Sequence, residues 1–201
     1  MDVSLPVQNQ RADISIDRSM VCAAGVAALL VLPLMYTVGD PLSPALAAQA
    51  LAYVVLAVSS VVLSVIDVRV HRLPNLLVGA TASAGFVFFA LAALLEGEAG
   101  ALVRAMTAAL AVGAVFMGLA MIRAGALGGG DIKLAATLAL FTGWLSWEAV
   151  LVGVASGFLF GGFGAPWVVI RRRADAATRI AFGPYLFAGA WLAIALALPT
   201  A

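Results

Sequence analysis

The sequence predicts an all-α polytopic membrane protein of about seven transmembrane helices. Three observations carry that prediction: an excess of apolar residues, their arrangement in long blocks, and the one-sided placement of basic residues between the blocks. Of the 201 residues, 64% are hydrophobic and 10% are charged, whereas soluble domains carry roughly 45–50% apolar and about 25% charged residues. The mean hydropathy is +1.12, and a soluble fold has nowhere to put that excess. The blocks fall at about 20–38, 46–66, 75–95, 101–122, 134–147, 149–170 and 183–199. Most are near the ~20 residues that a spanning helix needs.

Residues 1–19 form a polar tail, with Asp2, Asp13 and Asp17 set against Arg11 and Arg18. The Ala45-Leu46-Ala47 triplet after the block at 20–38 invites a signal-peptide reading. Signals, however, run about 15–30 residues and open with a positive region, so this block reads as the first transmembrane helix and 20–201 as one transmembrane domain. Cys22 is the single cysteine, which excludes an internal disulfide and a cysteine-based zinc cluster; it reads as a small apolar residue. Connections carry the polar punctuation: Gly39-Asp40-Pro41, Asp67 to Pro74, Glu96 to Gly100, Arg123 to Lys133, Trp147-Glu148 and Arg171 to Gly183. None is long enough to separate two domains.

The block at 134–147 is short, about 14 residues or roughly 20 Å of helix against a hydrocarbon core of about 30 Å. Either the glycine-rich stretch before it dips into the membrane, or Lys133 with interfacial Trp144 and Trp147 extends its reach. In the next block Gly153, Gly157 and Gly161 recur every four residues on one face, where a second helix can approach closely.

Seven crossings assign alternate connections to opposite sides. Arg11, Arg18, Arg69, Arg72, Arg123, Lys133, Arg171, Arg172, Arg173 and Arg179 then share one side, and only Arg104 falls on the other. By the positive-inside rule the basic side is cytoplasmic. The N-terminus is therefore expected in the cytoplasm and the C-terminus opposite, on the face that carries Asp40, Glu96, Glu98 and Glu148. No basic patch interleaved with aromatics suggests nucleic acid, and the basic loops suit anionic lipid.

Acidic groups in or beside membrane helices are costly and invite functional readings. Asp67 follows the block at 46–66, and Asp131 closes Gly128-Gly129-Gly130-Asp131 before the block at 134–147. Both fall on the cytoplasmic side, where a bundle could bring them together. Two adjacent carboxyls share a proton and titrate as a coupled pair, which is the equipment of an aspartyl protease: one takes a proton from water while the other donates to the scissile carbonyl. The glycines would let a substrate backbone approach. The residues also allow a plainer reading, with Asp67 a headgroup-level partner of Arg69 or Arg72 and Asp131 a helix N-cap.

At these positions the sequence resembles a known family. The run Asp67-Val68-Arg69-Val70-His71-Arg72-Leu73-Pro74-Asn75 is similar to the first motif of the type IV prepilin peptidases, which are GxGD-type aspartyl proteases. Gly128-Gly129-Gly130-Asp131-Ile132-Lys133 resembles their second motif, and Ile180-Ala181-Phe182-Gly183-Pro184-Tyr185-Leu186 resembles the Phe-Gly-Pro segment that opens the last helices. The resemblance implies removal of the short basic leader from prepilin or pseudopilin precursors at the cytoplasmic face of the inner membrane. It carries over Asp67 and Asp131 as catalytic residues, Gly128 and Gly130 as the loop shaping the site, and Lys133 as a motif residue of unassigned role. No metal or cofactor is implied. Larger members carry a cysteine-rich insert and methylate the new N-terminus; this sequence lacks the insert, so no N-methylation is expected. The short form is similar to the peptidases of tight-adherence (Flp) pili and to archaeal preflagellin peptidases.

His71, the single histidine, reads as a solvated loop residue and Arg171-Arg172-Arg173 as a topology anchor. Asp175 and the tail aspartates could weakly attract a basic leader. A rival of another class is a small proton-coupled transporter using the same aspartates. It would more naturally show inverted repeats and mid-membrane carboxylates, and the sequence has no convincing repeat.

Overall fold

A computed structural model describes residues 43–97, 99–122, 128–172 and 181–197, with side chains described to 162 in the helix that ends at Arg172. Six α-helices account for almost all of them: α1 Pro44–Val70, α2 Asn75–Glu96, α3 Gly100–Ile122, α4 Gly129–Leu145, α5 Trp147–Arg172 and α6 Gly183–Ala197. The block at 20–38 and the tail before it lie outside the described residues, as do Cys22, Arg123, Arg173, Asp175 and Arg179.

The helix ends follow local chemistry. Ser43 caps α1 by accepting the Leu46 N–H at 3.1 Å, with Pro44 at the first helical position, where a missing N–H costs nothing. At the other end His71 adopts the left-handed conformation (φ 53, ψ 35) and donates its N–H to the Asp67 carbonyl at 2.8 Å. Pro74 then precedes α2, which stops at Gly97 with φ 74. Only Ser146 separates α4 from α5; its hydroxyl accepts the Ala149 N–H at 3.0 Å, an N-cap bond.

α1, α2 and α3 are each long and apolar enough to cross a membrane, and α6 and the stretch Trp147–Gly162 are shorter apolar helices. Large apolar side chains such as Leu76, Leu94, Leu110, Ile122 and Leu151 are exposed, which suits lipid rather than water. Successive helices run in alternating directions through the bundle, so the C-termini of α1 and α3 share an end with the N-termini of α2, α4 and α6.

α4 is the central helix. It packs on α2, α3, α5 and α6 and is buried almost all round, from Ile132 to Trp144, as a helix with apolar residues on every face must be. Its 17 residues begin at Gly129, so part of the glycine stretch is helix rather than loop. That adds a turn to the block expected at 134–147.

Trp144, expected as an interfacial anchor, turns its ring into the bundle. It is 5% exposed and stacks on Phe89 with ring centroids 4.6 Å apart, in a cluster with Tyr53 and Phe141. Trp147 remains exposed. Phe89 and Phe141 pack closely because Gly85 leaves room for the Phe141 ring.

Arg104, the lone basic residue expected on the far side, has a structural task. Its guanidinium donates to the carbonyls of Gly143 (2.8 Å), Trp144 (2.6 Å) and Leu145 (3.0 Å). These are end carbonyls of α4 that lack helical partners, and a cation there also complements the helix dipole. The exception to the charge rule is thus an end-cap for the central helix.

The glycine face of α5 holds α6, as its spacing predicted. Gly153 faces Ala190 and Ala193, Gly157 faces Leu186, and the Phe182 ring occupies the space where a side chain on Gly161 would stand. From the α6 side, a Cβ on Gly189 would lie 2.7 Å from the Gly157 Cα. Gly189→Ala is therefore expected to destabilise the protein by about 1–3 kcal/mol through overpacking. Gly162, whose added Cβ would meet nothing within 4 Å, is the control; thermal unfolding in detergent should separate the two alanine variants. Equal melting temperatures would contradict the packing account.

Candidate active site

Asp67 lies in the last turn of α1, not beyond it, because the helix continues to Val70 after the apolar block ends. Its side chain is 5% exposed, a costly place for a carboxyl without a partner. The partner comes from the far end of the chain: the backbone N–H of Gly183 donates to Asp67 Oδ2 at 2.9 Å. Gly183 is buried, and a Cβ there would stand 2.7 Å from Oδ2. Glycine is the residue that permits this approach.

Asp131 occupies the first turn of α4 and is partly buried. The N-cap is Gly128, not Asp131. The carboxyl reaches back to the Gly128 N–H, the half of a capping box supplied by the third helical residue. Acidic groups are favoured at this end of a helix. Burial nevertheless pushes Asp131 up to about 6, helped by the nearby Asp67 carboxyl and opposed by the Gly128 N–H. Asp67 is thus close enough for its charge to act on Asp131.

The three segments singled out in the sequence meet at this end of the bundle. Gly130 packs on Leu73, and a Cβ on it would lie 2.9 Å from the Leu73 Cβ. Lys133 Nζ donates to Asn75 Oδ1 at 2.9 Å, tying the start of α4 to the start of α2. Gly183 holds Asp67. Gly128 is exposed beside the Asp131 carboxyl. His71 is exposed, as expected, and its own role is to turn the chain out of α1.

Two contributors escaped the sequence reading. Gly183 was visible as part of a motif, but its bond to Asp67 was not. The Lys133–Asn75 pair joins residues 58 apart, and no local pattern announces it. Among the described residues no group of three or more His, Cys, Asp or Glu could hold a metal ion.

An all-helical bundle with three membrane-length apolar helices, and two carboxyls at one end close enough for one to act on the other, fits a polytopic membrane protein. The sequence profile of the type IV leader peptidase family matches residues 54–166, more than half of the 201 residues, and the chain belongs to that family. Membership makes it a peptidase of the leader-peptidase type. The matched stretch contains both aspartates, whereas Phe182-Gly183-Pro184 lies beyond it. No curated protein and no solved structure matches the chain.

The raised Asp131 has a consequence for stability. Between the ordinary value of 3.8 and about 6 the folded state holds more protons at this site than the unfolded state. Its contribution is therefore fully present below 3.8 and is lost as pH rises through about 6. Melting temperatures measured across this range should fall with rising pH in the wild type and fall less steeply in Asp131→Asn. The same slope in both proteins would contradict the assignment.

Proposed function

We propose that the chain is an aspartic-type endopeptidase that removes the short basic leader of prepilin or pseudopilin precursors, with Asp67 and Asp131 as its catalytic pair. The observation that carries this reading is the convergence of the two carboxyls, with all three motif segments joined around them by the Gly183–Asp67, Gly130–Leu73 and Lys133–Asn75 contacts. A carboxyl held near pH 6 beside a second one suits acid–base work near neutrality.

The chemistry needs a water between the carboxyls. The ionised aspartate takes a proton from this water as its oxygen attacks the scissile carbonyl carbon. The protonated aspartate gives its proton to the carbonyl oxygen. The resulting tetrahedral diol then collapses, the C–N bond breaks, and the proton held by the first aspartate passes to the departing amine. The second aspartate recovers its proton from the diol. One water is consumed and the pair returns to its starting state. The glycines at 128–130 leave room for a substrate backbone beside Asp131.

The proposed topology has seven spans, with the tail 1–19 in the cytoplasm and 20–201 as the peptidase domain. The alternating direction of the six described helices supports it: one further span before α1 puts the N-terminus at the aspartate end, and α6 runs away from that end. The aspartates then lie at the cytoplasmic edge of the inner membrane, where a precursor presents its leader just ahead of its apolar helix. The absence of a cysteine-rich insert supports leader cleavage without N-methylation, and it suits a tight-adherence (Flp) type or a preflagellin type substrate alike.

Co-expression with an Flp-type prepilin, scored by the size shift on leader removal, tests the proposal. Asp67→Asn and Asp131→Asn should each lower cleavage roughly 10²–10⁴-fold while the protein still accumulates in the membrane. Complete leader removal by both variants would falsify the catalytic assignment.

A further inference from the structure

We propose that Gly183 is a positioning residue whose backbone N–H fixes Asp67 as the ionised, proton-accepting member of the pair, leaving Asp131 as the proton donor. This rests on the catalytic pair proposed above and removes its symmetry.

The geometry is specific to Asp67. Its bond crosses 116 residues of sequence, is buried, and is made by the first residue of α6. A hydrogen bond donated to a carboxylate stabilises the charged form, and the N-terminus of a helix adds to that effect. Asp131 accepts its N–H from Gly128, only three residues away on its own helix end, so its bond travels with it and fixes nothing across the bundle.

Each residue of Phe182-Gly183-Pro184 supports the Asp67 bond. Phe182 fills the space left by Gly161 on α5, packs on Phe158 with ring centroids 5.6 Å apart, and its carbonyl accepts the N–H groups of Tyr185 at 3.1 Å and Leu186 at 3.3 Å. The start of α6 is thereby anchored to α5. Gly183 then faces Asp67, where any Cβ would collide with the carboxylate. Pro184 has no N–H, which is tolerated in the first turn of a helix, and Gly183 remains the donor.

The charged surroundings of Asp67 agree with the assignment. Burial works against a charge on Asp67, while the Gly183 N–H and, on its own helix, His71 favour it; Arg69 and Arg72 follow in sequence. α2 begins with uncharged Asn75, already bonded to Lys133 of α4. α6 carries no charged side chain, its one titratable residue being Tyr185. That leaves Asp131 as the facing acid on α4. Its proton is held up to about 6 partly by the Asp67 charge, the order expected if Asp67 ionises first.

Dicyclohexylcarbodiimide, an apolar reagent that modifies protonated carboxyls, reads the order directly without requiring catalysis. The full chain in detergent micelles at about pH 5 should be labelled at Asp131 in preference to Asp67, as mapped by mass spectrometry. In Gly183→Ala, labelling of Asp67 should rise toward that of Asp131. In prepilin cleavage the same variant should move the acid limb of the kcat profile to higher pH with KM unchanged.

Equal or preferential labelling of Asp67 in the wild type overturns the inference, as does a Gly183→Ala protein with wild-type labelling and pH profile. If Gly183→Ala does not accumulate, the wild-type labelling alone decides. Failure of the underlying reading looks different: both Asp→Asn variants would still process precursor, whatever the labelling pattern.

Discussion

An aspartate buried at the end of a membrane helix needs a hydrogen-bond donor for its carboxyl, and Asp67 obtains its donor from a backbone N–H at the start of the last described helix. Much of the architecture can be traced from that need. For Gly183 to reach Asp67, α6 must begin beside the end of α1, so α5 must return the chain to the same end of the bundle. The return is made tight by the glycines of α5, which admit Leu186 and Phe182, and by Gly189 meeting Gly157 from the other side. Elsewhere α1 and α6 are joined by the Trp191 indole N–H donating to Ser60 Oγ at 3.1 Å.

The second carboxyl depends on a helix held at both ends. At the aspartate end, α4 is fixed by Gly130 against Leu73 and by Lys133 on Asn75. At the other, Arg104 of α3 binds three of its terminal carbonyls, and Trp144 is locked by its stack on Phe89. A site built on rigid, well-packed elements keeps its geometry better than one built on loops. Both carboxyls here lie in the end turns of their helices, and each is met by a backbone N–H group.

Much of this was legible in the sequence. The apolar blocks at 75–95 and 101–122 correspond to α2 and α3 almost residue for residue, since Pro74 and the Glu96–Gly100 stretch mark their ends. The block at 46–66 fell short of α1, and that at 134–147 missed the first turn of α4. Hydropathy stops at the first charge, whereas the helix runs on to a residue that can break it, His71 at one end and Gly128 at the other. Asp67 and Asp131 stood out because carboxyls beside apolar runs are costly wherever they fall. The glycines of α5 stood out by their spacing, and the structure gave them the neighbour that the spacing required.

What the sequence determined by itself was composition and period: helices, their approximate ends, the face of α5 that could be approached, and which acids were out of place. What only the tertiary structure decided was partnership. Trp144 reads as an interfacial anchor until Phe89 is found stacked on it, and Arg104 as a misplaced charge until the end of α4 is found beneath it. Gly183 is one glycine among 20 until its N–H is found on Asp67. The reason is physical: a backbone N–H is nearly the same at every residue, so its particular acceptor is set by where the folded chain places it.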